Sequence, residues 1–214
     1  MKNKKSKITL YLIVSILALI LFIFILFNIQ NNGFLKNIDI KFNALEKTIF
    51  FSNNQILNLL SISINYLFGL VSMIIISFVI FIYLQYRKKY RDSLFFITFM
   101  MINAILIWAL KIIIQRPRPN NIFEYLSSGY AFPSGHSLNA VVFLGLLIYF
   151  SWKYIKTNNK NAKIFITIIL SLVAIIVGFS RLYLGVHWLS DVLGGFLLGL
   201  FILFLGLFIN AKFK

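Results

Sequence analysis

Residues Gly178 to Gly195 read GFSRLYLGVHWLSDVLGG, and this polar stretch lies between two strongly apolar runs. It contains Arg181, His187 and Asp191 in a chain that has only five acidic residues and two histidines. Ionisable side chains at a membrane boundary are expensive to place there and usually serve a function. The stretch is therefore the first candidate for a functional site, and it marks where two apolar helices end and begin.

The composition places the whole chain in a membrane. Of its 214 residues, 60% are hydrophobic, whereas soluble domains average nearer 45–50%. The length fits one domain, residues 1–214, and no linker divides it. The chain has no cysteine, which excludes disulfides, thiolate metal sites and cysteine nucleophiles.

Six apolar runs predict an all-α integral membrane fold with six transmembrane helices. The first run follows a lysine-rich start and has no small-residue cleavage site, so it is predicted to be a retained helix rather than a signal peptide. Two runs, the fourth and fifth, are shorter than the ~20 residues that a bilayer requires, which suits helices whose outer ends are polar because they line a site. The six runs are Ile8–Phe27, Ile56–Leu84, Leu94–Leu110, Leu138–Phe150, Ile164–Phe179 and Val192–Ile209.

Two connecting segments carry information of their own. Asn28 to Gln55 is polar with scattered aromatic residues, which fits either a short amphipathic helix at the membrane surface or a plain loop. Arg116 to Phe132 is predicted to be a defined loop. All three prolines of the chain, Pro117, Pro119 and Pro133, lie in it or directly after it.

The net charge of +16 is spread over short loops between the apolar runs. This placement favours anionic lipid headgroups as the partner of the basic loops, including Lys153, Lys156, Lys160 and Lys163, and disfavours nucleic acid. No obligate protein partner is predicted. With six spans, 14 of the 21 Lys and Arg residues fall on the side of the N-terminus. The positive-inside rule then predicts cytoplasmic termini and an extracytoplasmic active site.

Three cations and a helix start predict an anion site on that outer face. Lys111, Arg118 and Arg181 would lie together, and arginine offers paired donors that match phosphate oxygens. Ser134 adds a hydroxyl, and the amides of Ser134 and Gly135 lie at the predicted start of a helix, where an anion is favoured. Gly135 would also let the backbone approach the ligand closely.

The two histidines supply the reactive groups. His187 and Asp191 are four residues apart and share a helix face. Asp191 can hold one imidazole nitrogen and leave the other free as a nucleophile. His136 is then available as a general acid for the leaving oxygen and as a base for water.

Simpler interpretations exist for each residue taken alone. Lys111 or Arg116 could be a snorkelling helix end, His136 could cap a helix, and His187 with Asp191 could be a buried structural pair. A zinc site is disfavoured because three neighbouring cations would repel a divalent ion, so no metal is assigned. Glu124, Asn139 and Tyr183 fit loop or packing roles, and Gly195 with Gly199 fits close helix packing.

Taken together, the blocks at residues 111–119, 133–136 and 180–191 resemble the type 2 phosphatidic acid phosphatase superfamily. The shared pattern is Lys-x6-Arg-Pro, Pro-Ser-Gly-His and Ser-Arg-x5-His-x3-Asp. The resemblance implies a metal-independent and cofactor-free phosphatase that works through a phosphohistidine on His187, with His136 as acid. It implies phosphate binding by Lys111, Arg118, Ser134, Gly135 and Arg181.

The substrate expected from this resemblance is a membrane lipid phosphate or diphosphate. Undecaprenyl diphosphate, phosphatidylglycerophosphate and phosphatidic acid are all candidates, because the motif residues are predicted to contact only the phosphate group. A lipid phosphotransferase on the same scaffold and a non-enzymatic lipid carrier are the alternatives.

Overall fold

The computed structural model of the protein describes residues 2–49, 54–120, 123–155 and 160–213. Helices account for most of these residues. In chain order the α-helices of the described ranges are α1 (Lys2–Gln30), α2 (Phe34–Ile49), α3 (Gln55–Leu67), α4 (Leu70–Tyr86), α5 (Tyr90–Ile114), α6 (Gly135–Tyr154), α7 (Lys160–Tyr183) and α8 (Leu189–Lys212), with a 3-10 turn at Glu124–Leu126.

Five of these helices, α1, α5, α6, α7 and α8, are long and apolar enough to cross a bilayer. Helices α3 and α4 together make a sixth candidate span, bent by 57° at the break between them. The prediction of an all-helical, multi-span membrane protein is confirmed. Helices α6 and α7 each extend several residues beyond the apolar runs that predicted them, because their ends carry polar residues.

The predicted second span, Ile56–Leu84, is not one continuous helix. Gly69 has an extended backbone conformation and caps the start of α4, and its amide donates to Tyr66 O rather than to Asn65 O. In an unbroken helix the amide of residue 69 would bind the carbonyl of residue 65. The break therefore leaves the Asn65 carbonyl available to another donor.

The segment after α1 is a helix rather than a plain loop. In α2, apolar Phe34, Ile38 and Ile40 are exposed, whereas Asp39 is buried against the rest of the protein. Residues 50–53 of this connecting segment lie outside the described residues. Of the two alternatives for this segment, the amphipathic helix is the one that the structure shows.

Glycines of α8 let α6 and α8 approach closely. A Cβ atom at Gly195 would lie 2.6 Å from Ser134 O, and one at Gly199 would lie 2.8 Å from Val141 Cβ. Both distances are shorter than real Cβ contacts, so neither position accepts a larger residue without movement. The predicted packing role of these two glycines is confirmed.

A polar cluster joins α5 and α6 at the end of the bundle away from the three motif blocks. Asp92 in the first turn of α5 accepts hydrogen bonds from Lys153 and from the hydroxyl of Tyr154. Lys153, predicted as a loop residue, therefore lies in the last turn of α6. Lys156 of the same predicted basic loop lies outside the described residues.

The close contact at Gly195 yields a stability prediction. Replacing Gly195 by Ala should destabilise the protein by about 1–3 kcal/mol, the usual range for overpacking, because the new methyl group meets a backbone oxygen. The apparent unfolding temperature in detergent should fall by several degrees. Leu193→Ala, at a more exposed position of α8, is the control, and equal unfolding temperatures for the two variants would contradict the packing argument.

Candidate active site

One cavity of about 550 Å³ brings the three motif blocks together. Its polar end contains residues from α5, α6, α7 and two loops, and its other wall is apolar. The residues that meet at the polar end are Lys111, Arg118, Gly135, His136, Arg181 and His187, and the apolar wall includes Leu70, Val71, Ile107 and Trp108. Six of the eight predicted site residues therefore line one cavity.

Lys111 and Arg118 are held by backbone carbonyl groups of the loop that follows α5 and of the turn between α7 and α8. Arg118 donates to Ser128 O (3.0 Å), Gly129 O (2.9 Å) and Val186 O (2.7 Å), and Lys111 donates to Tyr130 O. In the described part of the chain, no carboxylate forms a salt bridge with Lys111, Arg118 or Arg181. Their positive charges therefore remain available to an anion in the cavity.

Arg181 is the most deeply buried of the three cations, with 1% of its surface exposed. Its Nη1 donates to the side-chain oxygen of Asn65 at 2.9 Å, while its Nε is buried without a hydrogen-bond partner among the described residues. A buried donor of this kind is costly unless it is satisfied. An oxygen of a bound anion would satisfy it, and a guanidinium group suits phosphate.

The turn between α7 and α8 places His187 in the lining of this cavity. Gly185 adopts a positive φ of 58°, and its amide donates to Leu182 O at 2.7 Å, which ends α7. Glycine adopts this left-handed conformation at little cost. Two residues later, His187 is buried at the cavity and precedes the first turn of α8.

The contacts of His187 define its tautomer. Its Nδ1 lies 3.4 Å from Asp191 Oδ2, and its Nε2 lies 3.2 Å from Arg118 Nη1. Because arginine only donates, Nε2 must be the acceptor and Nδ1 carries the proton. Burial, followed by the charges of Arg118, Lys111 and Arg181, lowers the pKa of His187 well below its usual range. The ring is therefore neutral near pH 7, with the lone pair of Nε2 beside Arg118.

His136 has the opposite tautomer. Its Nε2 lies 2.9 Å from Asn65 O, and a carbonyl oxygen only accepts, so Nε2 carries the proton. That carbonyl is the one left available by the break between α3 and α4. The general-acid role of His136 stays a prediction, because its protonated nitrogen faces Asn65 in this arrangement.

The structure places Ser134 and Asp191 behind the cavity rather than in its lining. Ser134 is fully buried and caps α6, with its hydroxyl 2.9 Å from the hydroxyl of Ser137. Phosphate binding by Ser134 stays a prediction, whereas its capping contact is observed. Asp191 is also fully buried, as suits a residue that orients His187.

The sequence analysis predicts no role at the site for four polar residues that the structure places around it: Asp39, Asn65, Arg116 and Ser190. Arg116 resembled a helix end that reaches toward the lipid headgroups, but it forms ion pairs of 2.6 Å with both Asp39 and Asp191. One signal could have revealed this, because Asp39 is one of only five acidic residues. Asn65 gave no such signal, since an asparagine within an apolar run has no motif around it.

The three residues predicted to have loop or packing roles, Asn139, Tyr183 and Glu124, lie in different surroundings. Asn139 lines the cavity, and its side-chain oxygen accepts from Asn103 at 2.6 Å. The hydroxyl of Tyr183 donates to Asn58 at 2.8 Å. Glu124 begins the 3-10 turn. Among the described residues, no group of three or more His, Cys, Asp or Glu side chains is arranged to hold a metal ion.

Two histidines and three cations line one cavity of an all-helical membrane fold, and none of the three cations pairs with a carboxylate of the described residues. The chain belongs to the PAP2 superfamily, whose sequence profile matches residues 92–213.

Individual relatives and a solved structure extend this match. The chain is 40% identical to phosphatidylglycerophosphatase B of Bacillus subtilis over 129 residues, which is 60% of this chain and 63% of that protein. It is 34% identical to an undecaprenyl-diphosphatase of Sulfolobus acidocaldarius over 93 residues, 44% of this chain and 40% of that protein. These alignments therefore span less than two thirds of the relatives' lengths.

The fold is similar to a crystal structure of a transmembrane PAP2 type phosphatidylglycerolphosphate phosphatase from Bacillus subtilis. The TM-score is 0.82 at 30% sequence identity, and the superposition covers 94% of this chain and 97% of that one. A second similar structure, LpxE of Aquifex aeolicus, has a TM-score of 0.57 at 25% identity and covers 77% of this chain and 93% of that one.

The tautomer of His187 yields a prediction for its partner. Asp191→Asn should lower kcat by roughly 10³-fold or more, the scale seen when a catalytic histidine loses its orienting carboxylate. Phosphate release would be followed with purified variant, and KM should change little because Asp191 lies outside the cavity. Asp92→Asn, which removes a carboxylate at the other end of the bundle, is the control. A near-normal kcat for Asp191→Asn would contradict the assigned tautomer.

Proposed function

We propose that the protein is a membrane lipid phosphatase that hydrolyses a lipid phosphate monoester or diphosphate. The observation that carries this proposal is the composition of the cavity. One end holds a neutral histidine among three cations that pair with no carboxylate of the described residues, and the other end is an apolar wall. A ligand with a phosphate head and a hydrocarbon tail matches both ends.

The apolar wall supports entry of the substrate from the membrane. Leu70, Val71 and Trp108 line the cavity and also have 64%, 70% and 67% of their surface exposed. Leu70 and Val71 begin α4, directly after the helix break, and Trp108 lies on α5. The lipid tail would therefore remain among apolar side chains and bilayer lipid while the phosphate reaches Arg181.

The arrangement suits a double displacement. In the first step, Nε2 of His187 attacks phosphorus and the bond to the leaving oxygen breaks. The phosphate of the substrate favours a doubly protonated His136, and the leaving oxygen takes the proton of its Nδ1 while Nε2–H stays on the Asn65 carbonyl. In the second step, water attacks the phosphohistidine, gives its proton to His136 and releases inorganic phosphate, which restores His187. Asp191 stabilises the imidazole through Nδ1–H, and the three cations stabilise the charge on the phosphoryl oxygens.

The proposed reaction needs no metal ion. Lys111, Arg118 and Arg181 supply the positive charge that a divalent cation would otherwise bring to the phosphoryl oxygens. The same three charges would repel such an ion from the cavity.

The cavity and the relatives both support a lipid phosphate as the substrate. Phosphatidylglycerophosphate, undecaprenyl diphosphate and phosphatidic acid all join a terminal phosphate to a long apolar chain. The names of the two relatives refer to the first and second of these lipids. We propose these three as the substrate panel.

Purified protein in detergent should release inorganic phosphate from at least one lipid of this panel. His187→Ala should abolish release, because it removes the proposed nucleophile. Vanadate, which mimics the phosphoryl transition state, should inhibit, and EDTA should leave the rate unchanged. Full activity of His187→Ala would refute the nucleophile assignment, and loss of activity in EDTA that added metal restores would refute the metal-free reaction. Transfer of phosphate to a lipid acceptor instead of water would identify a phosphotransferase.

We also propose that the termini are cytoplasmic and that the cavity opens on the extracytoplasmic side. The bias of Lys and Arg residues toward one side supports this orientation.

Because the chain has no cysteine, single cysteines can test the orientation. Tyr125→Cys lies in the exposed 3-10 turn near the cavity, and Ile155→Cys follows α6 at the opposite end. A membrane-impermeant thiol reagent should label the first in intact cells and should label the second only after the membrane is permeabilised. The reverse pattern would overturn the orientation.

A further inference from the structure

A buried carboxylate of the surface helix α2 contacts the start of α8. Asp39 has only 2% of its surface exposed. Its Oδ1 accepts from the Ser190 amide at 2.9 Å, and its Oδ2 accepts from the Ser190 hydroxyl at 2.6 Å. A carboxylate on the free amides of a helix start stabilises that helix. Asp39 therefore holds the turn that carries His187 and Asp191.

Arg116 lies between Asp39 and Asp191 and binds both. Its Nη2 lies 2.6 Å from Asp39 Oδ2, and its Nη1 lies 2.6 Å from Asp191 Oδ1. The guanidinium also donates to the Ser190 hydroxyl at 2.7 Å and stands over the ring of Trp188. Neither Asp39 nor Arg116 lines the cavity, so neither is placed to touch the substrate.

We propose that Asp39 and Arg116 are positioning residues for the reaction, acting on His187 through Asp191. The inference rests on the proposed function and adds two residues to it. Arg116 occupies Oδ1 of Asp191, and the Trp188 amide donates to Oδ2 at 2.9 Å, so the carboxylate cannot rotate away from His187. Asp39 in turn fixes Arg116 and balances its charge.

The two residues have opposite electrostatic effects on His187. The charged and titratable groups that face His187 are Arg118, Lys111, Arg181, His136 and Asp191, and the Arg116–Asp39 pair lies behind Asp191. Removing the negative charge of Asp39 leaves the full charge of Arg116 on Asp191, which disfavours protonation of His187. Removing the positive charge of Arg116 favours protonation of His187.

The test uses Asp39→Asn, Arg116→Gln and the double variant, with Asp92→Asn as the matched control. Asp92 is also buried, 6% exposed, and pairs with a lysine far from the cavity. Each positioning variant should lower kcat by about tenfold to a hundredfold, the scale of a small misplacement, with little change in KM. The control should lose thermal stability and keep its pH profile.

The decisive readout is the pH at which His187 takes up a proton. It can be followed by NMR of labelled histidine, because the chain has only two histidines and His136→Ala assigns their signals. The midpoint should fall in Asp39→Asn and rise in Arg116→Gln, each by about half a pH unit or more, and the double variant should return toward the parent. The acid limb of kcat/KM should move in the same directions.

Midpoints that stay constant, or that move in the same direction in both single variants, would overturn this inference even if the parent protein is an active phosphatase. Opposite midpoint shifts in a protein that hydrolyses no lipid phosphate would refute the proposed function and leave only the coupling of Asp39 and Arg116 to His187.

Discussion

The joint between the start of α6 and the start of α8 determines the geometry of the whole site. The Ser134 amide donates to the Asp191 carbonyl at 3.0 Å, and Gly195 permits this approach because it has no side chain. His136 follows one half of this joint, and His187 precedes the other. Their relative position therefore depends on two backbone segments and one hydrogen bond rather than on flexible side chains.

The cations that line the cavity and the carboxylates near this joint lie on opposite sides of His187. On the cavity side, Lys111, Arg118 and Arg181 are held by neutral oxygens and pair with no carboxylate of the described residues. Behind His187, Asp39 and Asp191 share one cation, Arg116. In a low-dielectric interior this separation matters, because a carboxylate beside the three cations would compete with phosphate for them. The buried carboxylates act on the imidazole instead.

The motif spacing predicts which residues meet, because Lys111, His136, Arg181 and His187 lie in or next to the end turns of helices that apolar runs delimit. Arg118 lies in the loop after α5. The motif spacing could not predict what supports these residues. Asn65 and Asp39 come from segments without a motif, and their roles depend on tertiary packing. The sequence does not predict the break at Gly69, because hydropathy does not distinguish a straight apolar helix from a bent one. Ser134 was assigned to phosphate, but a serine before a helix is equally suited to capping it.

The most direct test of the central claim is to trap the covalent intermediate. The protein would be mixed with lipid labelled by ³²P at the terminal phosphate, quenched within milliseconds to seconds, and digested. A phosphohistidine intermediate on His187 predicts a phosphorylated peptide that contains His187 and is stable in alkali and labile in acid. Steady phosphate release with no labelled protein at any quench time, or label on another residue, would contradict it.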